Sequence, residues 1–213
     1  DSVNLLMPSA LNGHETATLR DSILKMAFDT VGSNILEVMC AAQHRIVEQF
    51  GYPVTKPDSL PQPVMADGFY NVFGTIANLT PELLVYCVNT QEYRPHAAHG
   101  MGTSFYINYD LNEGRVLTCA DLFDSAKTDS LVMAIQTQAD AMEQILGPTT
   151  IEALPGGDNF MIAQSGEIVF VYQPYEVASY AQGNIRVAFY PYELTDYMTS
   201  FAIKYFKLGD MGT

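Results

Sequence analysis

The chain has one close pair of histidines, His96 and His99, within Pro95-His96-Ala97-Ala98-His99-Gly100. Imidazoles three positions apart can share a metal ion when a helix carries both on one side, but Pro95 and Gly100 flank this pair, and on a strand such positions face opposite ways. No Cys, Asp or Glu lies in the next few positions to complete a set of ligands, so the spacing predicts neither a metal site nor a bound cofactor. His96 and His99 are instead expected in a loop or on a ligand-contacting surface. His14 and His44 are isolated, and His44 falls on the polar side of a predicted helix.

Covalent catalysis asks for a Ser or Cys on a strained elbow with a base beside it. The chain has no GxSxG, and Ser165 sits in Gln164-Ser165-Gly166, ordinary turn composition. Cys40, Cys87 and Cys119 lack CxxC spacing and allow at most one internal disulfide. Buried thiols packing as small apolar residues are expected, with a Cys–His pairing to His96 or His99 as the lesser alternative. A glycosidase would need two facing carboxyls, for which Glu176, Glu193 and Asp196 are candidates, yet acids outnumber bases 24 to 10 and no motif fixes a pair. Pro155-Gly156-Gly157-Asp158 lacks the Lys and Gly spacing of a phosphate loop. No catalytic residue is assigned.

The tyrosines carry more information. Tyr172, Tyr175, Tyr180, Tyr190, Tyr192 and Tyr197 are interleaved with Pro174 and Pro191. A tyrosine buries an apolar ring and keeps a polar tip, which suits core edges and recognition surfaces for proteins or sugars. Most of these rings are expected to be structural. Tyr175, Glu176 and Tyr180, together with His96 and His99, are the candidate ligand-binding residues.

Charge narrows the partners. Net charge is −14 with Lys and Arg scattered, so the clustered bases that phosphate backbones require are missing and nucleic-acid binding is not expected. The same field repels anionic lipid and favours encounter with a basic protein. No stretch reaches the roughly 18 apolar residues of a spanning helix, so no membrane insertion by this chain is expected. Asp1 in first position suggests that an initiator or leader segment has been removed.

Helical spacing of Leu19, Ile23, Leu24, Ala27 and Phe28 behind Thr18 predicts a first helix. Asn34 and Glu37 cap a second, whose stripe is Ile35, Leu36, Met39, Cys40, Ile46, Val47 and Phe50. Residues 53–63, with four prolines, read as a connecting loop. Three strands are predicted at 68–78, 83–93 and 102–110, the last forming a hairpin with Arg115 to Leu117 through Asn112-Glu113-Gly114. A third helix runs between Lys127 and Leu146 on Leu131, Ile135, Met142, Ile145 and Leu146, stopped by Gly147-Pro148. Asn159 to Gln164 and Glu167 to Tyr172 form a second hairpin across Ser165-Gly166, and Ile185 to Tyr190 is a further strand. The pattern is α+β, a mostly antiparallel sheet with helices packed on one side, in one compact unit.

The stretch Glu167 to Leu194, with Gln173-Pro174-Tyr175-Glu176-Val177-Ala178-Ser179-Tyr180-Ala181-Gln182-Gly183 between strands and Pro191-Tyr192-Glu193-Leu194 at its close, resembles the C-terminal signature of the RsiV-type extracytoplasmic domain of unknown function. Ala97-Ala98-His99-Gly100, Tyr109-Asp110-Leu111, Gly114, Leu117-Thr118 and Asp121-Leu122-Phe123 are similar to its companion module, the pair being known as DUF4163 plus DUF3298. The companion usually reads G-G-A-H, and here Pro95-His96-Ala97-Ala98 replaces its glycines. The resemblance spans about residues 65 to 205, leaves residues 1–64 outside it, and implies two interlocked modules, residues 1–124 with the companion module and residues 125–213 with the C-terminal one. It implies a bacterial envelope protein, secreted or lipid-anchored, whose relatives include the lysozyme-binding sensing region of an anti-sigma factor and a non-catalytic module of PdaC-type peptidoglycan deacetylases. A binding or sensing domain is therefore the expectation, its ligand a cell-wall component or a basic protein such as lysozyme. The alternative is a hydrolase acting on cell-wall glycans or peptides through acids near Glu176 and Glu193 or a histidine near His99.

Overall fold

Leu83 to Val88 is an unbroken apolar run in which every side chain is buried. A strand alternates its side chains between two faces, so such a run needs cover on both. The computed structural model describes residues 2–50, 68–143, 145, 147 and 150–210, and supplies that cover. The proline-rich connection 53–63, Leu146 and Pro148 lie outside the described residues.

A five-stranded sheet has the order β1-β4-β5-β6-β7, with β1 at Ser2–Asn4, β4 at Phe69–Leu79, β5 at Leu83–Tyr93, β6 at Met101–Asp110 and β7 at Arg115–Leu117. All neighbours are antiparallel except β1, which runs parallel to β4. A small hairpin, β2 at Ala10–Leu11 with β3 at His14–Glu15, leads into the first helix. At Gly74 of β4 an added Cβ would lie 1.8 Å from the Tyr86 hydroxyl oxygen, so only glycine leaves that ring room to cross the sheet and accept the Leu6 N–H at 3.0 Å.

Leu84, Tyr86 and Val88 turn to one face, under helices α1 (Ala17–Phe28) and α2 (Ile35–Gln49). The predicted stripe of α1 is buried as read, although the helix starts before Thr18, behind Thr16, whose hydroxyl donates to the Pro8 carbonyl. Asn34 caps α2 as expected, its Oδ1 accepting from Leu36 N–H and Glu37 N–H. The buried face of α2 is not the predicted stripe: Val38 and Ala42 are buried, while Ile35 and Cys40 are exposed and Leu36 is 73% exposed. The apolar positions of α2 extend round more of the helix than α1 covers, so periodicity identified the helix but not its contact line.

Leu83, Val85 and Cys87 turn to the other face. They join a second core with α3 (Cys119–Leu122), α4 (Thr128–Ala141), α5 (Ser200–Tyr205) and a three-stranded antiparallel sheet of order β10-β9-β8. Its strands are β8 at Phe160–Ile162, β9 at Ile168–Tyr172 and β10 at Ile185–Phe189. The β8–β9 connection is the three residues Gln164 to Gly166 rather than the two predicted: Ala163 N–H still donates to Glu167 C=O at 2.8 Å, and Gly166 takes φ 89°.

Side-chain amides stitch the two sheets together. β7 pairs with β6 only at Asn108 to Asp110, leaving the rest of that edge without a strand. Asn159 fills the gap: its Oδ1 accepts Tyr106 N–H at 2.9 Å, and its Nδ2 donates to Ser104 C=O at 3.1 Å and Val171 C=O at 2.8 Å. Asn108 reaches the other way, donating to Phe160 C=O at 2.8 Å and accepting Ile162 N–H at 2.9 Å. Both amides are 1% exposed, so these bonds satisfy groups that water cannot.

Candidate functional site

Where β9 ends, Gln173 continues this stitching. Its Oε1 accepts Ser104 N–H at 3.0 Å and its Nε2 donates to Ser104 C=O at 2.6 Å, fixing the start of the next loop against β6. The Glu176 carboxylate secures the same loop, accepting Gly156 N–H at 2.6 Å and Gln173 N–H at 2.8 Å. Between them Tyr175 is held at φ 70°, a left-handed conformation costly for a bulky side chain, with its N–H donating to Ala178 C=O at 3.0 Å. A 3-10 turn at Tyr180–Gln182 follows, ended by Gly183 at φ 68°, ψ −150°, a region that glycine alone occupies easily.

The loop from β5 to β6 meets this one. Ala97 N–H closes a turn on Arg94 C=O at 3.0 Å, and the Tyr93 hydroxyl donates to Ala97 C=O at 3.1 Å. His99 then stacks its ring on Tyr180, with centroids 4.0 Å apart at 18°, and Tyr175 completes a triangle of rings at 6.3 Å from His99 and 23°. The Tyr175 and Tyr180 rings are themselves 5.9 Å apart at 28°. His99 Nδ1 lies 2.9 Å from Gly100 C=O, which can only accept, so Nδ1 carries a hydrogen. In the neutral ring Nε2 is then the acceptor for the Tyr175 hydroxyl, 3.1 Å away. Tyr175 is 58% exposed, His99 is exposed and Tyr180 is half-buried, so the three rings form a solvent-facing aromatic cluster rather than a core element.

Beside this face is a shallow hollow of about 400 Å³, lined among others by Gly102, Pro174, Tyr180, Ala181, Gly183 and Asn184. Of the five residues singled out in the sequence, the structure brings His99, Tyr175 and Tyr180 together. His96 sits exposed in the preceding turn at φ 64°, outside the ring stack, and Glu176 braces the loop beneath.

Two of the groups weighed for catalysis make local bonds away from this face. Glu193 accepts Tyr190 N–H at 2.7 Å, and the Ser165 hydroxyl donates to the Glu167 carboxylate at 2.6 Å. Burial pushes the thiols of Cys87 and Cys119 up, away from a reactive thiolate; Cys40, expected inside, is exposed because α2 turns it outward. Among the described residues no three His, Cys, Asp or Glu side chains are grouped to hold a metal ion. Sequence reasoning missed Gln173, Asn159 and Ser104. A polar amide directly after the buried run Ile168 to Tyr172 was the available signal for Gln173, since a polar group at such a place must find partners.

Residues 120–194 match a family described as "Protein of unknown function (DUF3298)". No curated protein matches the chain. Among solved structures, a member of the DUF3298 family from Bacteroides fragilis superposes with a TM-score of 0.64 at 18% identity, over 88% of this chain and 79% of that one. A DUF3298 family protein from Pseudomonas aeruginosa superposes with a TM-score of 0.55 at 14% identity, over 86% of this chain and 78% of that one. At these identities the likeness is one of fold.

Proposed function

We propose that this chain is a non-catalytic binding or sensing module of the bacterial cell envelope, which meets its ligand on the face formed by His99, Tyr175 and Tyr180. The observation that carries the reading is Tyr175: an exposed aromatic ring held on a left-handed backbone by its own loop. Strain of this kind costs on the order of 1–3 kcal/mol and persists where the surroundings impose it, which is characteristic of recognition loops. Gln173 and Glu176 impose it here, so the face is organised before any ligand arrives. The resemblance to RsiV-type domains, including a DUF4163-like companion module before the C-terminal one, supports an extracytoplasmic location.

The ligand is a basic protein such as lysozyme or a cell-wall component, and the net charge of −14 favours the basic partner through faster encounter. Titration calorimetry against hen lysozyme, at low and physiological salt, with a peptidoglycan digest in parallel, tests this. Binding of either that is lost in the Tyr175→Ala, Tyr180→Ala double variant, with an unchanged melting profile, is the expected result. Turnover of the digest, or binding that ignores the double variant, would overturn it.

A further inference from the structure

The outer edge of β6 is read out one residue at a time. Asn108 and Asp110 lie beside β7, Tyr106 N–H is taken by Asn159, and both backbone groups of Ser104 are taken by the single amide of Gln173. In an antiparallel strand alternate residues turn their N–H and C=O to the same edge, so the next residue in this series is Gly102. Gly102 is exposed and lines the hollow beside Tyr180. One step further, the Gly100 carbonyl is already engaged by His99 Nδ1 at 2.9 Å. The edge therefore offers one residue's worth of backbone pairing, next to the aromatic face.

We infer that Gly102 is a docking point for one extended residue of a partner polypeptide, which pairs N–H to C=O and C=O to N–H with it while neighbouring side chains lie on the Tyr180, His99 and Tyr175 rings. This deepens the binding-module reading and rests on it. The Gln173 amide shows, two residues away, the pairing this edge accepts. A glycan fits less well, because the N–H and C=O of a trans acetamido group point in opposite directions and cannot both reach one residue. A single paired residue also distinguishes the site from full strand addition, where several consecutive bonds supply the affinity. The partner segment is basic, in keeping with 24 acidic against 10 basic residues in this chain.

The test uses the full chain, its ¹H–¹⁵N amide spectrum, and the alternating peptide acetyl-Lys-Val-Lys-Val-Lys-amide beside its fully N-methylated counterpart. The parent peptide is expected to shift the Gly102 amide, and N-methylation to weaken binding about tenfold, the scale of a lost hydrogen bond or two. Gly102→Pro removes the outward N–H at an edge position where proline is tolerated, and is expected to weaken binding to a similar degree. Gly102→Ala keeps the N–H, and its Cβ would meet only Thr90 C=O at 3.7 Å, so it binds as the parent does. Equal binding of the N-methylated peptide, or a Gly102 amide that stays still at millimolar peptide, overturns the proposal. If Tyr180→Ala weakens lysozyme or digest binding while Gly102→Pro does not, the aromatic face stands and the strand-edge pairing falls.

Discussion

One side-chain amide, that of Gln173, pairs with both backbone groups of one residue, Ser104, at 3.0 and 2.6 Å. A glutamine here does the work of a missing strand. It closes the edge of β6 against unwanted pairing and anchors the loop that carries Tyr175 and Tyr180. Stability of the sheet edge and shape of the aromatic face thus depend on the same two hydrogen bonds.

Gln173→Glu keeps the length of the side chain but replaces the donor with a second acceptor opposite Ser104 C=O. It is expected to destabilise by about 1–3 kcal/mol, as Gln173→Ala does, because a half-buried carbonyl loses a partner. Hydrogen exchange should locate the effect at the Ser104 amide and in residues 174–183. A variant whose exchange rises uniformly instead would assign Gln173 a general packing role.

Asn159→Ala leaves Tyr106 N–H and Val171 C=O without the partner that meets them at 2.9 and 2.8 Å. A loss of about 3 kcal/mol follows, seen as a fall in Tm of roughly 6–12 °C for a chain of this length. Asn159 and Gln173 both donate to Ser104 C=O, so the double variant Asn159→Ala, Gln173→Ala should lose less or more than the sum of the singles by at least about 0.5 kcal/mol. Additivity in chemical denaturation would show that the two amides act independently.

The strands were readable because their signals are local. The runs at 68–78, 83–93 and 102–110 became Phe69–Leu79, Leu83–Tyr93 and Met101–Asp110, and the Asn34 cap is where its side chain predicts. β1, β2, β3, α3 and α5 were missed because each is too short to develop a period, α3 being the four residues Cys119–Leu122 and α5 the six residues Ser200–Tyr205 behind the Thr199 cap. The site was legible only as a set of residue types. His99 and Tyr175 are 76 positions apart, and their meeting depends on the loop from β5 to β6 reaching the loop after β9, a tertiary fact with no sequence period. Glu176, three residues after Gln173, accepts that residue's N–H at 2.8 Å, a local contact that the spacing of a carboxylate behind a strand end allows.

Asp121 gives the fold a dependence on pH. Burial pushes its carboxyl up, but the Thr118 N–H at 2.7 Å, the Thr118 hydroxyl at 2.8 Å and Arg115 at 2.7 Å outweigh that and hold it below the usual carboxylate range. Because the folded value lies below the unfolded one of about 3.9, the contribution is fully present above that pH and is lost as pH falls through the folded value. Asp121→Asn should therefore narrow its stability gap to the parent between about pH 5 and pH 2, the parent falling faster. Parallel acid titrations of Tm read this directly. A gap that stays constant over the range would assign the loss to the capping geometry alone.

Tyr175 separates strain from packing. At φ 70° a tyrosine pays for a left-handed backbone, whereas asparagine adopts it readily. Tyr175→Asn is expected to hold the Tm or raise stability by up to about 1 kcal/mol, because the ring it removes is 58% exposed and buries little. Tyr175→Phe keeps the ring against His99 and loses only the hydroxyl bond at 3.1 Å. If the ring is a contact, binding of lysozyme or of the wall digest should fall in the Asn variant and persist in the Phe variant, while stability runs the other way or stays level. A Tyr175→Asn variant that melts several degrees lower would make the ring a structural support. One that binds like the parent would move recognition away from this face.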